Sequence, residues 1–197
     1  MISSDASNGF QGYLASALRL VEAMRLRDDL ISAVDNAIDI VGRALEGGSP
    51  LLVAGNGGSA SDALHISGEL VGKFYLDRSP LNVICLNTNV TVLTAWSNDV
   101  DFDSVFSRQV EAHAQPGAVF WGLTTSGNSE NLVQAFQAAK KVGLATIAMT
   151  GTGGGAVGRL SDILIDVPSD DTPRVQEAHV LIYHYICREV EKKLERR

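Results

Sequence analysis

The sequence lacks several features that would indicate a particular class of protein. Basic residues are not in excess, because the net charge is −7, and this argues against a nucleic-acid-binding surface. No apolar run approaches the roughly 20 residues that a membrane-spanning helix needs. The N-terminal residues also lack the basic and apolar regions of a signal peptide. These absences predict a cytoplasmic protein that binds neither nucleic acid nor membrane.

Cysteine is scarce in the chain. Cys85 and Cys187 are the two that occur, both in apolar stretches and without CxxC spacing. This arrangement predicts two buried free thiols in a reducing compartment, rather than a disulfide or a metal-binding pair.

The pattern of apolar residues predicts one α/β domain over residues 1–197. Residues 1–9 are small and polar and are predicted to be disordered, whereas residues 10–47 contain two helical patterns. Short apolar runs then alternate with helical patterns, at residues 51–54, 83–86, 118–123, 145–149 and 163–167. This alternation is typical of parallel βαβ units whose strands are covered on both faces. We therefore expect a five-stranded parallel sheet flanked by helices, with an N-terminal helical pair and a long C-terminal helix over residues 173–195.

A glycine-rich turn follows the first predicted strand, at the edge where open parallel sheets bind ligands. Glycines in residues 55–59 let the backbone approach a ligand closely, and Ser59 is predicted to cap the following helix. The spacing fits neither the GxGxxG dinucleotide motif nor the P-loop. A tight turn without any ligand is an equally good interpretation of this segment alone.

Hydroxyl side chains crowd the turn after the third predicted strand. Thr124, Thr125, Ser126 and Ser129 surround the start of a predicted helix. The positive end of a helix dipole and several hydroxyls together favour an anion such as phosphate. An ordinary N-cap is the alternative, although a cap needs one hydroxyl rather than four.

Histidines and a glutamate on predicted helices are the candidate chemical groups. His65 and Glu69 are four residues apart and share a helix face, so they could ligate a metal or place a base beside a polarising group. A solvent-exposed pair is the alternative. His179 and His184 lie on the otherwise apolar C-terminal helix. We interpret His179 as a core residue, whereas His184 fits a core or a site position equally well.

Four segments taken together resemble one known family. They read GNGGSASDALHISGEL, SNDVDFDSVFSRQVEA, TTSGNSENL and TPRVQEAHVLIYH. In this combination and order they are similar to the sugar isomerase (SIS) domain family and, within it, to the phosphoheptose isomerases. The resemblance covers nearly the whole chain. It implies a homotetramer that converts sedoheptulose 7-phosphate to D-glycero-D-manno-heptose 7-phosphate, the first step of ADP- or GDP-heptose precursor synthesis.

The resemblance also implies roles for individual residues. It makes Glu69 and His184 the catalytic pair. It implies one zinc ion per subunit, held by His65, Glu69, Gln176 and His184. It makes Asn98 and Asp99 substrate contacts, although from their position they could equally cap a helix beginning near Phe102. The remaining substrate-binding positions that it implies are Asn56, Gly57, Gly58, Ser59, Thr124, Thr125, Ser126, Ser129 and Gln176.

Some positions depart from the family pattern. Thr124 stands where many members have serine, which keeps the hydroxyl, and Lys73 stands where some have arginine, which loses the planar fork. Pro173 replaces an aspartate that contacts substrate in some members. Gln176 and His184 are eight residues apart, about 12 Å along an ideal helix, so both reaching one metal requires a distorted first turn or a shifted metal position. A non-catalytic relative, which associates with the replication initiator DnaA, is the alternative, but it lacks the catalytic glutamate and histidine.

Overall fold

The computed structural model describes residues 9–195. The N-terminal half contains α1 (Gly9–Arg25), α2 (Asp28–Glu46), β1 (Leu51–Gly55), α3 (Gly58–Val71), β2 (Val83–Cys85) and α4 (Val90–Asp99). The C-terminal half contains α5 (Val105–His113), β3 (Val119–Thr124), α6 (Glu130–Lys141), β4 (Ala145–Thr150), α7 (Gly155–Gly158), β5 (Ile163–Asp166) and α8 (Thr172–Glu195).

The five strands form one parallel sheet in the order β2-β1-β3-β4-β5. The predicted sheet, N-terminal helical pair and long C-terminal helix are therefore confirmed. The chain leaves β1 toward β2 on one side and returns to β3 on the other, which opens a crevice beyond the carboxyl ends of β1 and β3. Both turns singled out in the sequence lie at that crevice.

Helices cover both faces of the sheet, which explains why the strands are apolar throughout. On one face, α2, α3 and α8 pack over alternate strand residues such as Val53 and Trp121. On the other face, α5, α6 and α7 pack over Leu52, Phe120 and their neighbours. Cys85 and Cys187 are buried free thiols, as predicted. None of the helices described in residues 9–195 is long and apolar enough to cross a membrane.

Three local details differ from the sequence-based expectations. Ser59 does not cap α3, because Gly57 occupies the N-cap position and Ser59 is buried in the first turn. Asn98 and Asp99 do not cap α5 but end α4; Asp101 instead accepts a hydrogen bond from the backbone N–H of Ser104, the N-cap of α5 (2.6 Å). Gly9 is the first residue of α1, and the rest of the segment predicted to be disordered lies outside the described residues.

A buried ion pair fixes the loop between α3 and β2 against α8. Glu191 is fully buried and pairs with Arg78 (2.9 Å), and its carboxylate accepts hydrogen bonds from the backbone N–H groups of Phe74 and Tyr75 (3.3 and 2.9 Å). Arg78 also donates to the carbonyls of Glu69 and Leu70 at the end of α3 (2.9 and 2.8 Å). Because both side chains are shielded from water, removing either partner would leave the other as an uncompensated buried charge.

His179 is a core residue, as its apolar surroundings indicated. It is fully buried, and its Nε2–H donates to the carbonyl of Thr150 at the end of β4 (3.2 Å). Its other ring nitrogen is buried without a partner among the described residues. Burial lowers the pKa of His179 to about 4, because the charged ring would lose its hydration.

We predict that His179→Gln reduces the loss of stability at acidic pH. The wild-type ring stays neutral in the folded state until about pH 4 but takes up a proton near pH 6.5 when unfolded. Stability is therefore lost as the pH falls from 6.5 toward 4, by up to about 3 kcal/mol. Glutamine can still donate to Thr150 but does not titrate. The free energy of unfolding of both proteins is measured by denaturant titration at pH 7.5 and 4.5, at one protein concentration. An equal loss of stability between the two pH values in both proteins would contradict the prediction.

Candidate functional site

Two turns meet at the crevice between β1 and β3 and are tied together by side-chain amides. Asn56 and Asn131 exchange two hydrogen bonds, Nδ2 to Oδ1 in each direction (2.8 and 3.0 Å). Asn87, which follows β2, bonds to both the N–H and the carbonyl of Gly55 (3.2 and 2.9 Å). Polar groups from β1, β2 and α6 thus hold the glycine turn in place.

Close approach of the Ser59 backbone requires glycine at position 55, and the Gln176 side chain approaches Gly58 closely. A Cβ on Gly55 would lie 2.4 Å from the carbonyl oxygen of Ser59, and one on Gly58 would lie 2.2 Å from Nε2 of Gln176. The Gln176 amide therefore lies against the N-terminus of α3. This contact places the first turn of α8 beside the first turn of α3.

The hydroxyl turn is a compact loop at the N-terminus of α6. Thr124 Oγ1 accepts a hydrogen bond from the Gly127 N–H (3.3 Å) and lies 3.4 Å from Ser129 Oγ. Ser129 is the N-cap residue, yet its side chain makes no capping hydrogen bond to α6. Ser126 is exposed and Thr125 and Ser129 are partly exposed. The hydroxyls are therefore not consumed by capping, and the arrangement favours an anion-binding loop.

His65, Glu69 and His184 come together between α3 and α8. His65 Nε2 lies 2.9 Å from Glu69 Oε1 and 3.5 Å from His184 Nε2, and one donor atom from each residue lies within 4.8 Å of the others. The His65 side chain is 46% exposed and that of Glu69 is 18% exposed. The pKa of His184 is lowered, first by burial and then by the neighbouring His65.

The sequence reasoning missed three residues around this cluster. The Tyr183 hydroxyl lies 2.8 Å from His65 Nδ1, and the Phe74 ring stacks on the His184 ring with centroids 5.5 Å apart. Asp62 is buried below Tyr183, and burial raises its pKa to about 6. The one available signal was spacing, because Asp62 is three residues before His65 on the same helix face.

The cluster fits a divalent metal by its donor chemistry. Two imidazoles and a carboxylate are ordinary ligands of zinc. A tetrahedron with bonds of about 2.0 Å has ligand atoms about 3.3 Å apart, which the separations of 2.9 and 3.5 Å bracket. Gln176 lies against Gly58 instead, so its role as a further ligand stays a prediction.

Other candidate residues lie apart from these groups. Asn98 and Asp99 are exposed and hydrogen-bond to each other (2.8 Å); within residues 9–195, neither bonds to the glycine turn or the hydroxyl loop. Pro173 and Lys73 are exposed. Their contributions to a site stay predictions.

Comparison with known proteins gives concordant matches. The SIS domain family model matches residues 12–151. A phosphoheptose isomerase of Crocosphaera subtropica is 50% identical over 162 residues, which cover 82% of this chain and 83% of that protein. The structure of the phosphoheptose isomerase of Francisella tularensis matches with a TM-score of 0.88 at 33% identity, covering 93% of this chain and 96% of that one. That of Neisseria gonorrhoeae matches with a TM-score of 0.85 at 35% identity, covering 93% and 97%.

We predict that Gly127→Ala disrupts the hydroxyl loop more than Gly143→Ala disrupts its own turn. Both glycines have positive φ (+69° and +77°), but a Cβ on Gly127 would lie 2.2 Å from the carbonyl oxygen of Gly154, whereas Gly143 has open space. Both variants pay for the left-handed backbone, about 1–2 kcal/mol. Gly127→Ala should cost a further 1–3 kcal/mol or so from overpacking and should weaken the binding of inorganic phosphate.

Denaturant unfolding and calorimetric titration with inorganic phosphate measure the two effects. Gly143→Ala is the matched control, because it carries the same backbone strain without the clash. Equal stability and equal phosphate affinity in the two variants would show that the loop tolerates displacement at Gly127.

Proposed function

The chain belongs to the SIS domain family and, within it, to the phosphoheptose isomerases, and from this premise we propose that it converts sedoheptulose 7-phosphate to D-glycero-D-manno-heptose 7-phosphate. The observation that carries the proposal is the pair of Glu69 and His184, a carboxylate and an imidazole facing one another across α3 and α8. Carboxylates and imidazoles are common general acids and bases in enzymes.

The length of the site supports a sugar with its phosphate at one end. The glycine turn meets α3 at Gly58, whereas His65 is seven residues further along the helix, about 10 Å at 1.5 Å per residue. A heptose 7-phosphate carries its phosphate and its reacting carbons at opposite ends of the chain. The hydroxyl loop is tied to the glycine turn through Asn56 and Asn131, so a substrate whose phosphate lies at the loop and whose reacting carbons lie at Glu69 and His184 fits this layout.

Ketose–aldose isomerisation moves a proton between C1 and C2 through an enediol. In this proposal the Glu69 carboxylate takes the proton from C1 of the ketose and returns it to C2, while His184 moves protons between the oxygens on C1 and C2. The ring of Phe74 stacks on His184 and so restricts its orientation. A base and an acid held within about 3–3.5 Å of the reacting atoms remove most of the positional entropy cost.

We assign one zinc ion per subunit to His65, Glu69 and His184, with Gln176 as a candidate fourth ligand. The donor set and its separations support this assignment. Bound zinc supplies Lewis-acid polarisation of the substrate oxygens.

The hydroxyl loop is the proposed phosphate site. Thr124, Thr125, Ser126 and Ser129 supply hydroxyls at the N-terminus of α6, whose dipole favours an anion. The substrate contacts assigned to Asn56, Gly57, Gly58 and Ser59 line the adjoining turn. Binding energy gained at the phosphate can be used to position the distant carbons.

The surface of α1 supports assembly into a homotetramer. Phe10, Leu14, Leu18 and Val21 are 72, 47, 70 and 43% exposed. Val21 also lines an apolar hollow of about 420 Å³ between α1, α2 and α8. Exposed apolar surface of this extent is typical of a protein–protein interface.

We further propose a cytoplasmic location and a place at the first step of ADP- or GDP-heptose precursor synthesis. Two free buried thiols fit a reducing compartment. A non-catalytic regulator is not favoured, since the chain retains both Glu69 and His184.

We predict that Glu69→Gln and His184→Asn each lower kcat for sedoheptulose 7-phosphate by about 100-fold or more, the usual contribution of a general acid or base. The double variant should be scarcely slower than the worse single variant, because the two groups act as one unit. Glu111→Gln and His113→Asn are matched controls on the exposed end of α5 and should leave kcat unchanged. Folded Glu69→Gln protein with a tenth of wild-type kcat would mean that another residue is the base.

We predict that Leu18→Glu dissociates the tetramer, because it places a charge in the apolar surface of α1. Val142→Glu, at an exposed apolar position after α6 (39% exposed), is the matched control and should leave assembly intact. Analytical ultracentrifugation at micromolar concentration distinguishes the two. A wild-type protein that sediments as a monomer with full activity would contradict the proposed assembly.

A further inference from the structure

We propose that Asn128 is a positioning residue of the proposed phosphate site, where its side-chain amide fixes Ser126 against the segment that follows β4 and so orients the Ser126 hydroxyl. In this role Asn128 acts through Ser126 rather than by touching the substrate. The inference deepens the proposed function and rests on it for the location of the phosphate, whereas the contacts of Asn128 belong to the protein alone.

A second glycine loop, residues 151–154, lies between β4 and α7 and packs against the hydroxyl loop. Because β3 and β4 are neighbours in the sheet, the segments that follow them emerge side by side. The Gly151 N–H donates to the carbonyl of Thr125 (3.1 Å), and the Val157 N–H, in α7, donates to the carbonyl of Gly127 (3.0 Å). The segment after β4 therefore supports the hydroxyl loop by direct backbone contact.

The Asn128 side chain joins the same two segments with both ends of its amide. Its Oδ1 accepts a hydrogen bond from the backbone N–H of Ala156 in α7 (2.9 Å), and its Nδ2 donates one to the carbonyl of Ser126 (2.8 Å). The partners fix which way round the amide lies, because a backbone N–H can only donate and a carbonyl can only accept. Turning the amide round would break both hydrogen bonds.

The Ser126 hydroxyl is left as a donor. The backbone N–H of Asn128 donates to Ser126 Oγ (3.2 Å), so the hydroxyl oxygen already accepts one hydrogen bond. Within residues 9–195 the hydroxyl hydrogen has no acceptor, and Ser126 is exposed. A phosphate offers strong acceptor oxygens, so this hydroxyl has the polarity that a phosphate needs.

The amide of Asn128 controls the orientation of this hydroxyl through the Ser126 carbonyl. The carbonyls of three consecutive loop residues accept hydrogen bonds, namely those of Thr125, Ser126 and Gly127. Two of the donors are backbone N–H groups beyond β4, whereas the middle donor is the Asn128 side chain, so a substitution can remove the middle bond alone. Because Ser126 is exposed, no packing replaces that bond, and without it the hydroxyl gains freedom to turn away.

The test compares wild type with Asn128→Ala, which removes both amide hydrogen bonds and keeps the backbone N–H that reaches Ser126. Calorimetric titration measures the Kd for inorganic phosphate, and denaturant unfolding confirms that the variant is folded. The Kd should rise about 10-fold, because a hydrogen bond from Ser126 to a charged group is partly lost. Asn36→Ala makes the same change at an exposed position of α2, on the other face of the sheet from α6 and α7, and should leave the Kd unchanged.

A double variant shows through which group Asn128 acts. Ser126→Ala alone should also raise the Kd for inorganic phosphate, because it removes the hydroxyl. Adding Asn128→Ala to it should raise the Kd scarcely further, since the group that Asn128 orients is already absent. If the two fold-changes instead multiply in full, Asn128 supports the whole loop or touches the phosphate itself, and its proposed action through Ser126 is wrong.

The outcomes separate the inference from the proposed function. If Ser126→Ala weakens phosphate binding but folded Asn128→Ala binds phosphate as wild type does, the inference alone is overturned, even if Asn128→Ala is less stable. If Ser126→Ala changes neither the Kd for inorganic phosphate nor the KM for sedoheptulose 7-phosphate, the phosphate lies elsewhere, and the proposed phosphate site is overturned together with the inference.

Discussion

The packing of α3 alongside α8 is the interaction on which the site depends. The helices run in the same direction, with Gln176 against Gly58 near their N-termini and His184 against His65 about two turns further on. A shift of one helix along the other by a single residue, about 1.5 Å, would disrupt both contacts. The register of this helix pair therefore sets the positions of both the glycine turn and the cluster of His65, Glu69 and His184.

Buried polar groups maintain that register more specifically than apolar packing could. Arg78 joins the carbonyls at the end of α3 to Glu191 on α8, and Glu191 also holds the backbone that presents Phe74 to His184. Such a pair contributes little net stability compared with well-packed apolar residues, but losing one partner is costly, about 3–5 kcal/mol. Two apolar helix faces can slide past one another at little cost. Hydrogen bonds to the carbonyls of Glu69 and Leu70 instead fix the position of one helix along the other.

The sheet could be predicted from the sequence because each strand is a continuous apolar run followed by a turn, and such runs are buried between helices. The hydroxyl turn could be predicted for the same reason, since it follows a strand directly. The contact between Tyr183 and His65 could not, because it depends on how two distant helices align. Asn98 and Asp99 end α4 rather than cap α5, because a polar pair ends a helix as readily as it begins one. Ser59 does not cap α3, because Gly57 occupies the N-cap position.

The two ends of the proposed site lie on different parts of the fold. The hydroxyl loop follows a strand, whereas Glu69 and His184 lie on two helices. The hydroxyl loop follows β3 directly, so its position is set by a strand that is paired on both sides, and the proposed phosphate binding needs a fixed set of donors. Glu69 and His184 project from helices whose alignment rests on a small number of buried polar contacts. A substitution at one of those contacts would displace Glu69 or His184 while leaving the hydroxyl loop in place, because that loop belongs to the sheet. In the proposed function, phosphate bound at the loop would hold the substrate chain so that C1 and C2 lie at Glu69 and His184.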